Sequence, residues 1–482
     1  MHLSSAHLRP INVVVGVKIV EDLEARLGPD IVLRDGATLR THRRDAWVLS
    51  ELDDLEQVPV ALPSCVVKPR STEDVATVVN LCRESGAPLV PAGLRSGVCG
   101  GVLATQDAVL LDLSALNRVR AIDTRDQVGR FDAGVRGSDA EAEVNRRGLS
   151  LGHFPQSIGL STLGGWVATR AAGQFSTAYG NIEDLVLGLE AVLPDGTWLR
   201  TSDAPRASTG PDLRHLLLGS EGTLGVITGV DISLSRLPEA RAALAYYVPN
   251  MRAGFDAQRE ILQAGWRPPV LRQYDPPEVG RLFGKHKKAE HCLLLVVHEG
   301  PKERTQVEST AVAHLVAAAG GEPAPSEAAE HWLAQRNHVP TFKSFLENGV
   351  IVDTIEVAAP YARIGDVYDS AIARLARIPG IWNGSAHSSH AYRAGLNLYF
   401  SFAVQPKERA ELRRAYHECW AAVMEACLEG GGTISHHHGI GRVRREWLAR
   451  DLGPGGLAAL TRLKRAFDPT GFMNPGVLLP PS

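Results

Sequence analysis

Apolar residues recur along this chain in two rhythms, as short runs and at helical spacing. Runs at Pro63 to Val67, Pro88-Leu-Val-Pro91, Ala108-Val-Leu-Leu-Asp112 and Asp132-Ala-Gly-Val135 predict four strands. Ser71-Thr-Glu-Asp74, a hydroxyl followed by acids, starts a helix that runs to about Ser85. Another helix follows the fourth strand to about Arg147. This β-α-β-loop-β order reads as an α/β unit. Residues 1–62 ahead of it read as a helical arm, and residues 63–239 as one domain. The character changes at Leu237-Pro238-Glu239. From residue 240 to 430, strands at 243–248, 292–298, 349–356 and 396–404 alternate with helices at 251–264, 302–319, 361–377 and 407–429. That predicts a second, α+β domain, followed by a C-terminal segment at 431–482.

Composition narrows the function classes. Of the 482 residues 44% are hydrophobic and 22% charged, enough for a sizeable core. A net charge of -3 gives no basic footprint for nucleic acid. No apolar run reaches the ~18–20 residues that span a bilayer. The apolar stretch at 11–20 flows into Glu21-Asp-Leu-Glu and reads as the start of a folded segment, not a signal peptide. Six scattered cysteines form no CxxC, as expected of reduced thiols in a cytoplasmic protein.

Three loops carry glycines mixed with small hydroxyl residues. They are Gly93-Leu-Arg-Ser-Gly-Val-Cys-Gly-Gly101, Ser161-Thr-Leu-Gly-Gly-Trp-Val-Ala-Thr-Arg-Ala-Ala-Gly173 and Gly219-Ser-Glu-Gly-Thr-Leu-Gly-Val-Ile-Thr228. Such loops let backbone N–H groups approach a ligand that a Cβ would hold off. One alone is an ordinary loop, and none is a Rossmann fingerprint or a P-loop. Together they point to a dinucleotide-type cofactor.

With Tyr179-Gly-Asn-Ile-Glu-Asp-Leu-Val186, Ser208-Thr-Gly-Pro-Asp212 and Ser435-His-His-His-Gly-Ile-Gly441, these loops resemble the vanillyl-alcohol oxidase (PCMH-type) flavoprotein superfamily. Within it the chain looks most like the alkyldihydroxyacetonephosphate (alkylglycerone-phosphate) synthase branch and its bacterial relatives. The resemblance implies an α+β fold. A two-subdomain PCMH-type FAD-binding domain would be covered by an α+β cap with an antiparallel sheet, and the C-terminal segment would return to the FAD domain. It implies non-covalent FAD at Pro91, Gly93, Leu94, Arg95, Ser96 and Gly97, and at Pro155, Ser157, Ser161, Thr162 and Gly164. Further contacts would come from Ala168, Thr169, Arg170 and Ala171, and from Gly219, Glu221, Gly222, Gly225 and Val226. The family usually writes the first loop Pro-x-Gly-Gly-Gly-Thr-Ser, whereas Leu94 and Arg95 replace glycines here. Arg95 either takes a phosphate or points to solvent. Cys99 lies beside this loop, where an inert buried thiol fits better than a flavin tether.

Three consecutive histidines, His436, His437 and His438, are costly to bury unless each finds a partner. A surface turn, a hydrogen-bond cluster and a ligand-facing loop all remain open, and the flanking glycines favour the last. Adjacent side chains converge poorly on one ion, so no metal is expected. Related D-2-hydroxyacid dehydrogenases carry Glu-His-Gly where this chain has His437-His438-Gly439, which favours the synthase-like branch. Tyr399 lies in an alternating strand, where periodicity alone gives packing. The resemblance makes it an acid–base tyrosine, whose high ordinary pKa calls for neighbours that stabilise the phenolate. It also places His390 and Tyr392 beside the site and matches Arg272 and Arg336 to substrate-binding arginines. Lys343 stands at a phosphate-facing arginine position, keeping the charge but losing the fork.

The implied activity is exchange of the acyl group of acyl-dihydroxyacetone phosphate for a fatty alcohol through a flavin N5 adduct, a step of ether lipid synthesis. The alternative is an FAD-linked oxidase or dehydrogenase of an alcohol or 2-hydroxy acid, since fold does not fix chemistry. Expected partners are a small or lipid-like substrate and, as one option, a second copy in a homodimer. The expected location is the cytoplasm, with peripheral contact to a membrane as a variant.

Overall fold

The computed structural model describes residues 12–480. In the four-stranded N-terminal sheet the order is Val32–Leu33, Cys65–Val67, Val109–Asp112, Leu89–Ala92. The last three strands run parallel, with Cys65 and Leu89 both opposite Val109, and the first is antiparallel. The helix Thr72–Ser85 forms because the Ser71 side chain accepts the Asp74 N–H, and it ends at Gly86 in the left-handed region. Its Val75, Val78, Val79 and Cys82 share one buried face. The N-terminal arm is helical at Asn12–Leu27, Gly36–His42 and Val48–Leu55, but Val32–Leu33 joins the sheet. A two-residue strand is too short to show a periodicity. Residues 1–11 of the expected arm lie outside the described residues.

A second, five-stranded sheet is antiparallel throughout, in the order Val119–Asp123, Val128–Asp132, Val226–Ser233, Val186–Val192, Trp198–Arg200. The strand expected at Asp132-Ala-Gly-Val135 ends at Asp132 instead. There Ala133 N–H donates to Thr228 O and Gly134 N–H to Leu116 O, so the apolar run is a buried turn held by distant backbone.

The third sheet has seven antiparallel strands in the order Glu322–Ala324, Ala240–Val248, Cys292–Gly300, Val270–Tyr274, Ile381–Ser388, Gly395–Val404, Ile351–Pro360. The helices Met251–Gln263, Lys302–Ala318, Tyr361–Leu375 and Leu412–Glu429 supply its packed face through Phe255, Val312, Ile364 and Trp420. Four of these strands and all four helices match the expected ones to within a few residues. Three are additional: the short edge strand Glu322–Ala324, and Val270–Tyr274 and Ile381–Ser388. The last two carry Arg272, Gln273, Ser385 and His387, and those polar side chains hide the apolar rhythm.

The C-terminal helix Arg445–Phe467 kinks at Gly453-Pro454. Beyond it the chain returns to the first sheet, where Leu89 N–H donates to Phe472 O and Asn474 N–H to Leu89 O. No helix among the described residues is long and apolar enough to cross a membrane.

Candidate active site

The three glycine loops meet. Gly93 lies so close to the next loop that a Cβ there would stand 2.3 Å from Thr162 Oγ1. Thr162 caps the helix Leu163–Thr169 by accepting the Gly165 N–H, and Ser161 Oγ accepts from Trp166 Nε1 at 2.8 Å. The helix ends at Arg170, with φ +53°, on which Gly219 packs. Gly219 and Glu221 donate their N–H groups to Val167 O and Ala168 O. Gly222, at φ +74°, rests on the Pro91 ring.

Among the described residues, no backbone N–H from Leu94 to Cys99 has a hydrogen-bond partner. A half-buried run of free donors is the feature a diphosphate needs, so these residues fit FAD. Arg95 does not point to solvent. It occupies φ +59°, where the family uses glycine, and its half-buried guanidinium lies 3.6 Å from Asp112 Oδ2 and donates to Gly93 O at 3.3 Å. His42 and Lys68 share the same carboxylate.

Two carboxylates fold the histidine loop. Glu221 accepts the N–H of Ile440 at 2.7 Å and of Gly441 at 2.9 Å, and burial pushes its carboxyl up to about 7. Glu356, fully buried in its strand, accepts the N–H groups of His436 and His438, the Ser435 hydroxyl, and Arg444 at 2.9 Å. Burial alone would raise Glu356, but Arg444 and the histidines hold it well below the usual carboxylate range. Arg444 Nη1 also reaches Cys99 Sγ at 3.4 Å, tying this loop to the first glycine loop.

Asn181 Nδ2 donates to Tyr392 Oη at 2.7 Å, and Tyr392 Oη lies 2.6 Å from His436 Nε2. His436 Nδ1 is 2.9 Å from His437 Nδ1, so one of the two carries the shared proton. With Tyr392 as the donor to His436, His436 carries its proton on Nδ1 and His437 presents Nε2–H. His390, stacked on His436 at 5.0 Å, is held at Nδ1 by Ser176 Oγ at 2.8 Å. His390, His436 and His437 present ring nitrogens within 4.8 Å of one another, so the fold brings together side chains that adjacency in sequence would keep apart. Burial, followed by neighbouring histidines, drives His436 and His437 down to about 3, and burial drives His438 to about 4, so all three are neutral at pH 7.

Tyr399 faces His438 edge-on at 5.4 Å, stacks on His387 at 4.9 Å and accepts from Thr354 Oγ1 at 3.0 Å. Its surroundings do not favour the phenolate, against expectation. Desolvation leads, and the buried Asp353 and Glu356 add to it, so the phenol is pushed above its ordinary value and acts as a donor.

Arg272 is buried, with Nε donating to Tyr274 Oη at 2.9 Å and Cζ over the Trp332 ring at 5.2 Å. Arg336 lies over Phe154 and Phe175, each at 4.9 Å, and burial lowers it to about 10. Neither has a carboxylate within salt-bridge distance among the described residues. Lys343 is not brought to this cluster; its side chain is 66% exposed and approaches Glu347 at 3.9 Å.

Sequence reasoning passed over Glu356, Arg444, Asn181, Ser176, Glu278 and His387. Glu356 left a trace, as one of two acids, with Asp353, amid the apolar strand Ile351–Pro360.

The chain matches an FAD binding domain family over residues 63–202 and the C-terminal domain of FAD linked oxidases over residues 237–478. The uncharacterized FAD-linked oxidoreductase YgcU of Escherichia coli K12 is 34% identical, over 96% of this chain and 98% of that one. Alkyldihydroxyacetonephosphate synthase of Dictyostelium discoideum is 29% identical, over 96% of this chain and 81% of that one. A solved alkyldihydroxyacetonephosphate synthase superposes with a TM-score of 0.76 at 26% identity, over 98% of this chain and 86% of that one. p-Cresol methylhydroxylase does so with 0.77 at 18% identity, over 97% of each chain, a likeness of fold that makes this architecture PCMH-type. Free donors in the first glycine loop, the PCMH-type fold and these full-length likenesses agree: the chain belongs to the FAD-linked oxidase family, and its cofactor is FAD.

Proposed function

We propose that the protein is an FAD-linked oxidoreductase that oxidises a small, polar, anionic alcohol, of the 2-hydroxy acid or phosphorylated-alcohol class. The observation that carries this reading is the wall around Tyr399. It is built from His387, His437, His438 and the Thr354 hydroxyl. An alkyl chain gains by burial against apolar groups, whereas these groups suit a compact polar ligand. Arg272 and Arg336, buried or half-buried cations without carboxylate partners, supply the receptor for its anionic group.

Pro91, Gly93 to Gly97, Ser161 to Gly164, Arg170 and Gly219 to Gly225 would hold FAD, which when bound would supply the acceptor for the substrate's hydride. The chain's own residues do the rest. Arg272 and Arg336 orient the anion, while Tyr399 O–H and His437 Nε2–H donate to the substrate oxygen. The neutral histidines add no positive charge of their own. Anaerobic mixing with glycolate, D-lactate or glycerol 3-phosphate should bleach the flavin's visible absorbance. Absence of bleaching by all three, with FAD bound, would refute this reading.

A second reading, alkyl exchange of the alkyldihydroxyacetonephosphate synthase type, is favoured by one observation. Tyr399 and the histidine run, which the resemblance joins in that chemistry, do converge. The exposed Lys343 weighs against a synthase-like phosphate grip. Formation of an alkyl product from acyl-dihydroxyacetone phosphate and a long-chain alcohol, followed by mass spectrometry, separates the two.

A further inference from the structure

His387 lies between two rings, with Tyr274 at 5.1 Å and Tyr399 at 4.9 Å, both within 30° of parallel. Its Nδ1 is 2.7 Å from Glu278 Oε2. Glu278 comes from the helix Pro276–Leu282 and is fully buried. It also accepts from Ser401 Oγ at 2.7 Å, Ser385 Oγ at 3.4 Å and Arg281 Nη2 at 2.9 Å. Burial opposes ionisation, but His387 and Arg281 outweigh it and hold Glu278 at about 2.

A carboxylate can only accept. His387 therefore carries its proton on Nδ1 and keeps a lone pair on Nε2. That nitrogen has no partner among the described residues, and it is not sealed in as both ring nitrogens of His153 are. The other histidines of the site differ. His437 Nδ1 stands 3.8 Å from Glu356 and is taken by His436, and His390 leans on a serine.

We propose that Glu278 and His387 form a catalytic dyad in which His387 Nε2 is the base for the substrate's hydroxyl. This rests on the oxidation reading. The O–H bond breaks and its proton forms an N–H bond at Nε2. The carbon's C–H bond breaks with its electron pair leaving as hydride to FAD, and C–O becomes C=O. Glu278 is the positioning residue: it fixes the tautomer and faces the imidazolium that forms. The charged groups around His387 are Glu278, Arg272 and Arg281, with the phenols of Tyr274 and Tyr399 on its faces. The two arginines oppose a lasting imidazolium, so the proton is released again after turnover.

Two measurements test the dyad. Nitrogen-15 NMR of the histidine-labelled holoenzyme, assigned by the signal lost in His387→Gln, should show His387 as the Nδ1–H tautomer. An Nε2–H tautomer in the resting enzyme would overturn the proposal. In anaerobic stopped-flow with glycolate, D-lactate or glycerol 3-phosphate, His387→Gln should slow flavin reduction by about 100-fold or more. FAD content should be unchanged, and the acid limb of the rate's pH profile should vanish. Glu278→Gln should lower kcat with little change in KM. Reduction of His387→Gln at the wild-type rate overturns the proposal, and that variant decides alone if Glu278→Gln does not fold. If no substrate bleaches the wild type, the oxidation reading fails and the base role falls with it, whereas bleaching of the wild type with an Nε2–H His387 overturns the dyad alone.

Discussion

Glu356→Gln removes one charge and one acceptor at the centre of the histidine loop. Glu356 and Arg444 are both fully buried, and their closest atoms are 2.9 Å apart. The same carboxylate accepts the N–H groups of His436 and His438 and the Ser435 hydroxyl. Its lone pairs serve all four donors, whereas an amide nitrogen accepts none. Whichever oxygen becomes NH2, a donor then faces a donor: His436 N–H at Oε2, or Arg444, His438 N–H and Ser435 at Oε1. Removing one side of a buried ion pair costs about 3–5 kcal/mol. The stranded Arg444 also contacts Cys99, so the loss reaches the first FAD loop. Urea titration followed by tryptophan fluorescence should show that loss, and gel filtration followed by flavin absorbance should show weakened FAD retention. In a double-mutant cycle, Arg444→Met added to Glu356→Gln should cost far less than the sum of the two, because it removes the orphaned cation. A stability loss below about 1 kcal/mol for Glu356→Gln, or strict additivity with Arg444→Met, would refute the reasoning.

Other outcomes follow from the same geometry. Arg336→Met should raise KM for an anionic substrate about 10- to 100-fold with kcat nearly kept, the worth of one charge-assisted hydrogen bond; an unchanged KM in steady-state kinetics removes Arg336 from the anion receptor. Lys343→Ala should leave kcat/KM within about twofold, since an exposed ion pair contributes little; a large fall would restore its phosphate role. Gly441→Ala should destabilise by more than about 2 kcal/mol in thermal melts, since φ is +54° and the added Cβ would meet Cys99 O at 2.1 Å; a melt like the wild type's would show that the loop can shift. His437 is held at about 3, chiefly by burial, so its neutral form stabilises the fold above pH 6.5 and that contribution is lost as pH falls towards 3. The stability advantage of wild type over His437→Gln should therefore shrink by about 1.4 kcal/mol per pH unit between about pH 6 and 4, and a pH-independent difference in urea titrations would contradict it.

Local signals carried a long way in this chain. Ser71 announced its helix because capping joins residues three apart. The glycine loops announced a cofactor because backbone freedom belongs to the residue itself. Their order and wording sufficed for the PCMH-type fold and for FAD. Where local rules met long-range packing, they gave way. Asp132-Ala-Gly-Val135 became a turn because Thr228 O and Leu116 O supplied its partners. The strands Val270–Tyr274 and Ile381–Ser388 were masked by the polar side chains that serve the site. Arg95 took a glycine's conformation and turned to Asp112. By itself, then, the sequence determined the fold class, the cofactor and the presence of Tyr399 and three histidines able to act. The tertiary structure alone decided what those groups are chemically. Tyr392 reaches His436 across 44 residues, Glu356 reaches His438 across 82, and Ser176 reaches His390 across 214. Those contacts and the accompanying burial make the histidines neutral and keep Tyr399 protonated, because a pKa and a tautomer are properties of a surrounding and not of a residue.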